Sequence, residues 1–118
     1  MNTSKKRKIR RGDIFMADLN LKGNLQKGLR PYLVVSNNLN NQLSPVVTVV
    51  ALTSRRKKKQ LPTHVKIKIY NEIQKRHVVN IVLAEQIFSV NKSELQQHVG
   101  FVPHMVAVNV ALRIHLAL

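Results

Sequence analysis

From His64 to Tyr70 the chain reads His-Val-Lys-Ile-Lys-Ile-Tyr, apolar and polar residues alternating without a break. Successive side chains of a strand point to opposite faces, so this segment predicts a half-buried strand with Val65, Ile67 and Ile69 inward and Lys66 and Lys68 outward. Outward lysines also guard such a strand against edge-to-edge pairing. Four more β-rich runs lie around it: residues 13–19, Tyr32–Val35 opened by Pro31, Val46–Leu52, and Val78–Phe88. Gly23 and Gly28 mark a loop before Pro31. Ser36-Asn37-Asn38 forms a cap-like cluster ahead of one or two helical turns at Leu39–Leu43, which Pro45 stops. Asn91 followed by Glu94 three residues later reads as a second helix start. Five short strands with turn signals between them, in 118 residues, predict one domain built as a small barrel or curled sheet.

The C-terminus supports two readings. Val106, Val108, Val110, Leu112, Ile114, Leu116 and Leu118 recur at period two, which predicts a strand. Pro103 suits a first helical position and Ala107, Ala111 and Ala117 favour a helix. Such a helix would be apolar nearly all round and would have to bury a second face, as against another subunit.

The formal net charge is +15, and it is concentrated. Lys5, Lys6, Arg7, Lys8, Arg10 and Arg11 stand in a tail without an acid, and Arg55, Arg56, Lys57, Lys58 and Lys59 follow one another directly. Blocks of like charge repel and are expected to stay solvated. They serve as solubilising surface or as phosphate-binding cations, and the second role carries a strong salt dependence. Arg11-Gly12-Asp13 reads as a turn glycine entering a strand rather than as an adhesion tripeptide.

Composition excludes several chemistries. With no Cys there is no disulfide, zinc knuckle, iron–sulfur cluster or thiol nucleophile. Five scattered carboxylates and five histidines without ligand spacing offer no metal centre, so no metal or cofactor is expected. No phosphate-cradling glycine motif is present. The basic N-terminus lacks an apolar h-region, and no stretch is long enough to span a bilayer, so a cytoplasmic chain without membrane contact is expected.

A polyanion cut without metal or thiol is cut most simply by its own nucleophile, and RNA carries a 2′-hydroxyl. That reaction needs a cation for the negatively charged phosphorane and a group to manage protons. Arg30, fixed against Pro31 at a strand mouth, and Thr53, at a strand end before the basic run, suit those tasks. Each equally suits a plain structural role, a surface ion pair or a strand-end hydroxyl.

The ordered set Arg11-Gly12-Asp13-Ile14, Gln26, Gly28-Leu29-Arg30-Pro31-Tyr32-Leu33-Val34-Val35-Ser36-Asn37, Ser44-Pro45, Leu52-Thr53-Ser54, Leu61-Pro62-Thr63-His64-Val65, and Val82-Leu83-Ala84-Glu85-Gln86-Ile87 with Lys92 resembles the MazF/PemK/Kid family of bacterial toxin endoribonucleases. The resemblance implies a mainly β fold with short helices: an SH3-like small β-barrel of about five to seven strands, with a C-terminal helix on the barrel in place of the strand that periodicity predicts. It sets residues 1–10 apart as a basic tail and 11–118 as a single domain. It implies a homodimer, sequence-selective cleavage of single-stranded RNA to 2′,3′-cyclic phosphate and 5′-hydroxyl ends, and a cognate acidic antitoxin that blocks the RNA groove. The catalytic pair falls on Arg30 and Thr53. Glu85 matches an acidic position with a proposed catalytic role, and equally suits a buried strand residue with a hydrogen-bond partner. RNA contacts are expected from Gln26, Lys27, Gly28, Ser54, Arg55, Arg56, Lys57, Lys58, His64, Gln86 and Phe88. Departures from the pattern are Leu25 and Lys27 in the loop before Arg30, and Phe88, Ser89 and Asn91, where members often carry Arg, Thr and Asp; Phe88 offers stacking in place of a charged contact. The alternative is a non-catalytic relative on the same barrel, a gyrase-inhibitor-like toxin or a passive RNA-binding module.

Overall fold

The computed structural model describes residues 8–19, 28–55 and 60–118. The elements run β1 (Asp13–Ala17), β2 (Arg30–Val34), α1 (Asn38–Leu43), β3 (Val46–Thr53), β4 (His64–Asn71), β5 (Arg76–Asn91), a 3-10 turn (Lys92–Glu94), β6 (His98–Phe101) and α2 (Val106–Leu116). All strand pairs are antiparallel, in the order β4-β5-β3-β2-β1-β6. The sheet curls into a half-barrel until its two edges meet, where the Glu72 N–H donates to the Val99 carbonyl at 2.6 Å.

The predicted strands lie where the patterns put them, and Ile69 of β4 is buried as alternation requires while Val65 and Ile67 pack against the same core. Strand β6 was not anticipated. It is only four residues long and contains Gly100, whose added Cβ would lie 2.8 Å from the Tyr70 carbonyl oxygen. The bare backbone there lets β6 approach β4 and close the curl. Gly12, at φ +100°, makes the turn into β1 as expected, and a side chain there would meet the Val102 carbonyl at 2.7 Å.

Helix α1 is capped by Asn37, whose side chain accepts the Asn40 N–H at 2.8 Å, an arrangement typically contributing about 1 kcal/mol. The Asn91–Glu94 start yields a single 3-10 turn, in which Glu94 accepts the Asn91 N–H at 2.9 Å.

Two cores occupy the two faces of the sheet. Ile14, Leu33, Val50, Leu52, Val82 and Val99 form the first together with Val108 of α2. Phe15, Tyr32, Val34, Val49, Ile81 and Leu83 form the second, covered in part by Ile9, Phe88 and Leu95.

The C-terminal segment is a helix, as the resemblance implied and against its period-two pattern. It begins at Val106, so Pro103 precedes the helix instead of occupying its first position. Val108 and Ala111 are buried, whereas Val106, Val110, Ile114, Leu116 and Leu118 are exposed. The end of the basic tail is bonded to the fold: Arg10 stays exposed and Arg11 is half-buried. Asp13 is fully buried and draws Arg10, whose N–H donates to Oδ2 at 2.8 Å and whose guanidinium lies 3.3 Å from Oδ1. The Arg10 guanidinium also stands over the Phe101 ring at 4.2 Å. Arg11 donates to the Val35 carbonyl and to Asn109 of α2, tying the helix to the sheet. Among the described residues no helix is long and apolar enough to cross a membrane.

Candidate active site

The register of the sheet sets the site. Arg30 begins β2 and pairs with Ala17 of β1. On the other side of β2, Tyr32 pairs with Ala51 and Leu33 with Val50. Continued by two residues, that antiparallel register sets Arg30 opposite Thr53, the last residue of β3. Both side chains line one cleft of about 810 Å³ at the open end of the half-barrel, with Ser54 and Arg55 beside them. Pro31 fixes the backbone following Arg30 and holds it extended. The Thr53 hydroxyl oxygen accepts the Arg55 N–H at 3.1 Å, which leaves its own hydrogen to donate outward. A guanidinium and a hydroxyl donor in one cleft can together hold a phosphate oxygen and charge that builds on it.

The opposite wall comes from the β4–β5 hairpin: Asn71, Gln74, Arg76, His77 and Asn80 face the same space. The Asn71 side chain shapes this turn by accepting the N–H groups of Ile73 and Gln74, and Lys75 takes φ +58°. Sequence reading did not assign a role to this wall. The signal available was the basic triplet Lys75-Arg76-His77 at a turn.

The remaining expected residues divide. Gln26, Lys27, Arg56, Lys57 and Lys58 lie outside the described residues. Gly28, at φ +78°, is exposed two residues before Arg30. Glu85, His64, Gln86 and Phe88 do not line the cleft. The Phe88 ring meets Tyr32 edge-on at 6.0 Å and packs, partly buried, against the second core. The Gln86 Oε1 is buried and has no hydrogen-bond partner among the described residues. Glu85 and His64 bond to each other: His64 Nε2 lies 3.0 Å from Glu85 Oε2, and Thr63 Oγ1 donates to Oε1 at 2.7 Å. Burial raises the Glu85 carboxyl, but the bonds from Thr63, from its own backbone and from His64 outweigh burial and leave it below the ordinary carboxylate range. Among the described residues no group of His, Asp and Glu is arranged to hold a metal ion.

A curled six-stranded sheet backed by a C-terminal helix, with arginines in a cleft beside it, defines a small β protein whose cleft suits an anionic ligand. Residues 10–118 match the family of PemK-like, MazF-like toxins of type II toxin–antitoxin systems, and the chain belongs to that family. It is 37% identical over 113 residues to the endoribonuclease MazF of Staphylococcus epidermidis, covering 93% of this chain and 92% of that protein. A solved structure of an endoribonuclease in complex with its cognate antitoxin, from a mycobacterial species, superposes with a TM-score of 0.75 at 29% identity, over 93% of this chain and 96% of that one. The MazF structure from Deinococcus radiodurans shares the fold, with a TM-score of 0.71 at 22% identity, over 92% of this chain and 96% of that one.

Proposed function

We propose that this chain is a cytoplasmic toxin endoribonuclease that cuts single-stranded RNA by intramolecular transesterification. The ribose 2′-oxygen attacks the adjacent phosphorus, the P–O5′ bond breaks, and the 5′-oxygen leaves as a hydroxyl, giving a 2′,3′-cyclic phosphate. The convergence of Arg30 and Thr53 on one cleft carries this reading. Arg30 stabilises the phosphorane charge through its cationic, multi-donor guanidinium. Thr53 orients the phosphate through its free hydroxyl hydrogen. Arg55, Arg76 and His77 line the approach for flanking nucleotides.

An antitoxin of acidic character suits the net charge of +15, through both encounter rate and complementarity. A homodimer is supported by the outer stripe of α2, where Val106, Val110 and Ile114 recur every four residues and are all exposed. The discriminating experiment incubates the purified protein with a long single-stranded RNA and with its 2′-deoxy counterpart, in excess chelator. Discrete cuts with cyclic phosphate ends in the RNA alone are expected. Intact RNA held in a tight complex would instead establish a passive binding module.

A further inference from the structure

The β4–β5 hairpin has a second face, turned away from the first core, on which rings and cations stand together. Ile69 and its cross-strand partner Val78 pack into the first core. Alternation therefore turns Lys66, Lys68 and Tyr70 of β4 the other way, together with their partners Ile81, Val79 and His77 on β5. Ile81 belongs to the second core, but Tyr70 and Val79 are each 48% exposed, and Lys66, Lys68 and His77 are exposed as well. The Tyr70 and His77 rings meet edge-on, with centroids 5.3 Å apart and planes at 73°. This contact orders both rings before any ligand arrives, while both residues stay open to solvent.

The cations of this face are unspent. Among the described residues neither Lys66 nor Lys68 has an ion-pair partner. The two carboxylates nearest along the strands are engaged elsewhere, Glu72 with His98 at 2.8 Å and Glu85 with Thr63 and His64. Protection of an edge strand accounts for the lysines of β4, but not for an exposed tyrosine and valine beside them. The face is also continuous with the cleft, because His77 lines the space that holds Arg30 and Thr53 and touches Tyr70 with its ring. We infer that this face is a second RNA-binding surface. A strand leaving the cleft past His77 stacks a base on the Tyr70–His77 pair and sets neighbouring phosphates against Lys68 and Lys66, which succeed Tyr70 at steps of about 7 Å along β4. Every base has a face to stack, so the surface adds affinity for flanking nucleotides without reading their sequence. The inference rests on the ribonuclease reading and extends its site beyond the cleft.

The full chain is tested by fluorescence anisotropy against two 2′-O-methyl RNAs of one sequence, about six and about fifteen nucleotides long, which lack the attacking hydroxyl. Wild type is expected to bind the longer strand about tenfold more tightly. Tyr70→Ala is expected to lose about five- to tenfold on the longer strand and less than about twofold on the shorter, whereas Tyr70→Phe keeps the ring and the affinity. Tyr70→Leu, which retains an apolar side chain on the strand, should lose as much as the alanine variant and serves where that variant fails to fold. Lys68→Ala should reduce the salt slope on the longer strand by about 0.7, the value for one phosphate contact to a single strand. Unchanged affinity of Tyr70→Ala or its stand-in for the longer strand would overturn the inference. So would equal losses on both strands, which would place the effect in the cleft or in the hairpin fold. Weakened self-association of the Tyr70 variants with RNA binding intact would make the face an interface between copies and also overturn it. Wild type that shows the length dependence but leaves unmodified RNA uncut would sink the ribonuclease reading alone, because anisotropy reports the surface without any cleavage.

Discussion

The imidazole of His98 lies between two carboxylates, with Nε2 2.9 Å from the buried Asp13 Oδ1 and Nδ1 2.8 Å from Glu72 Oε1. The three residues join β1, β6 and the start of the β4–β5 turn, where the sheet closes on itself. Asp13 is fully buried and accepts the Arg10 N–H while facing His98 Nε2, so Asp13→Ala leaves those groups without their partner and is expected to lose about 2–3 kcal/mol. Glu72 is 45% exposed, and Glu72→Ala should cost less than about 1 kcal/mol. Urea unfolding of the two variants measures the contrast; equal losses would contradict it.

The same seam depends on Gly100. A Cβ at this position would lie 2.8 Å from the Tyr70 carbonyl oxygen and 3.2 Å from Ile69 Cδ1. Backbone cannot yield as a flexible side chain does, so Gly100→Ala is expected to destabilise by roughly 1–3 kcal/mol. Chemical denaturation gives the loss, and amide exchange at Glu72, which donates across the seam, should accelerate with it.

The two seam strands show what the sequence makes legible and what it conceals. Strand β4 announces itself through seven alternating residues, whereas β6 is too short for any period and is interrupted by the glycine that its close approach requires. Helix α2 was ambiguous for a related reason. Branched apolar residues at every second position also populate every side of a helix, and only Val108 and Ala111 found burial within this chain. Arg30 and Thr53 met the chemical requirement as single residues, but their convergence follows from the β2–β3 register, which local pattern does not reveal. The Thr63–Glu85 bond joins residues 22 positions apart across a bulge, and no periodicity marks such a pair.

Arg30→Ala is expected to reduce cleavage by about 10²–10³-fold, the usual cost of removing one transition-state charge donor. Thr53→Val preserves the shape of the side chain and deletes the hydroxyl, so it should lower kcat with little change in fold. Initial rates on a single-site RNA, with circular dichroism to verify folding, measure both. Undiminished cutting by either variant would remove that residue from the mechanism.

The Tyr32 hydroxyl is buried and has no hydrogen-bond partner among the described residues. Burial raises its pKa, with Arg30 opposing that shift and Asp18 adding to it. A buried hydroxyl without a bond costs free energy that an isosteric ring does not. Tyr32→Phe should therefore leave stability unchanged or raise it by up to about 1 kcal/mol, and it retains the edge-on contact with Phe88. A loss of more than about 1 kcal/mol in urea unfolding would show that the hydroxyl is bonded after all.

The lowered carboxyl of Glu85 makes stability depend on pH in a definite direction. Its pKa is lower folded than unfolded, so the unfolded chain binds a proton more readily, and acidification favours unfolding. The contribution is complete above the ordinary glutamate range, near pH 4.3–4.5, and is lost as pH falls through the lowered folded value. Glu85→Gln has no such proton to bind. Comparing urea midpoints of wild type and variant from about pH 6 to about pH 3 should show a gap that narrows or reverses in acid. Other carboxylates titrate in both proteins and cancel in the difference, so a gap independent of pH would mean that Glu85 is not held ionised by Thr63 and His64.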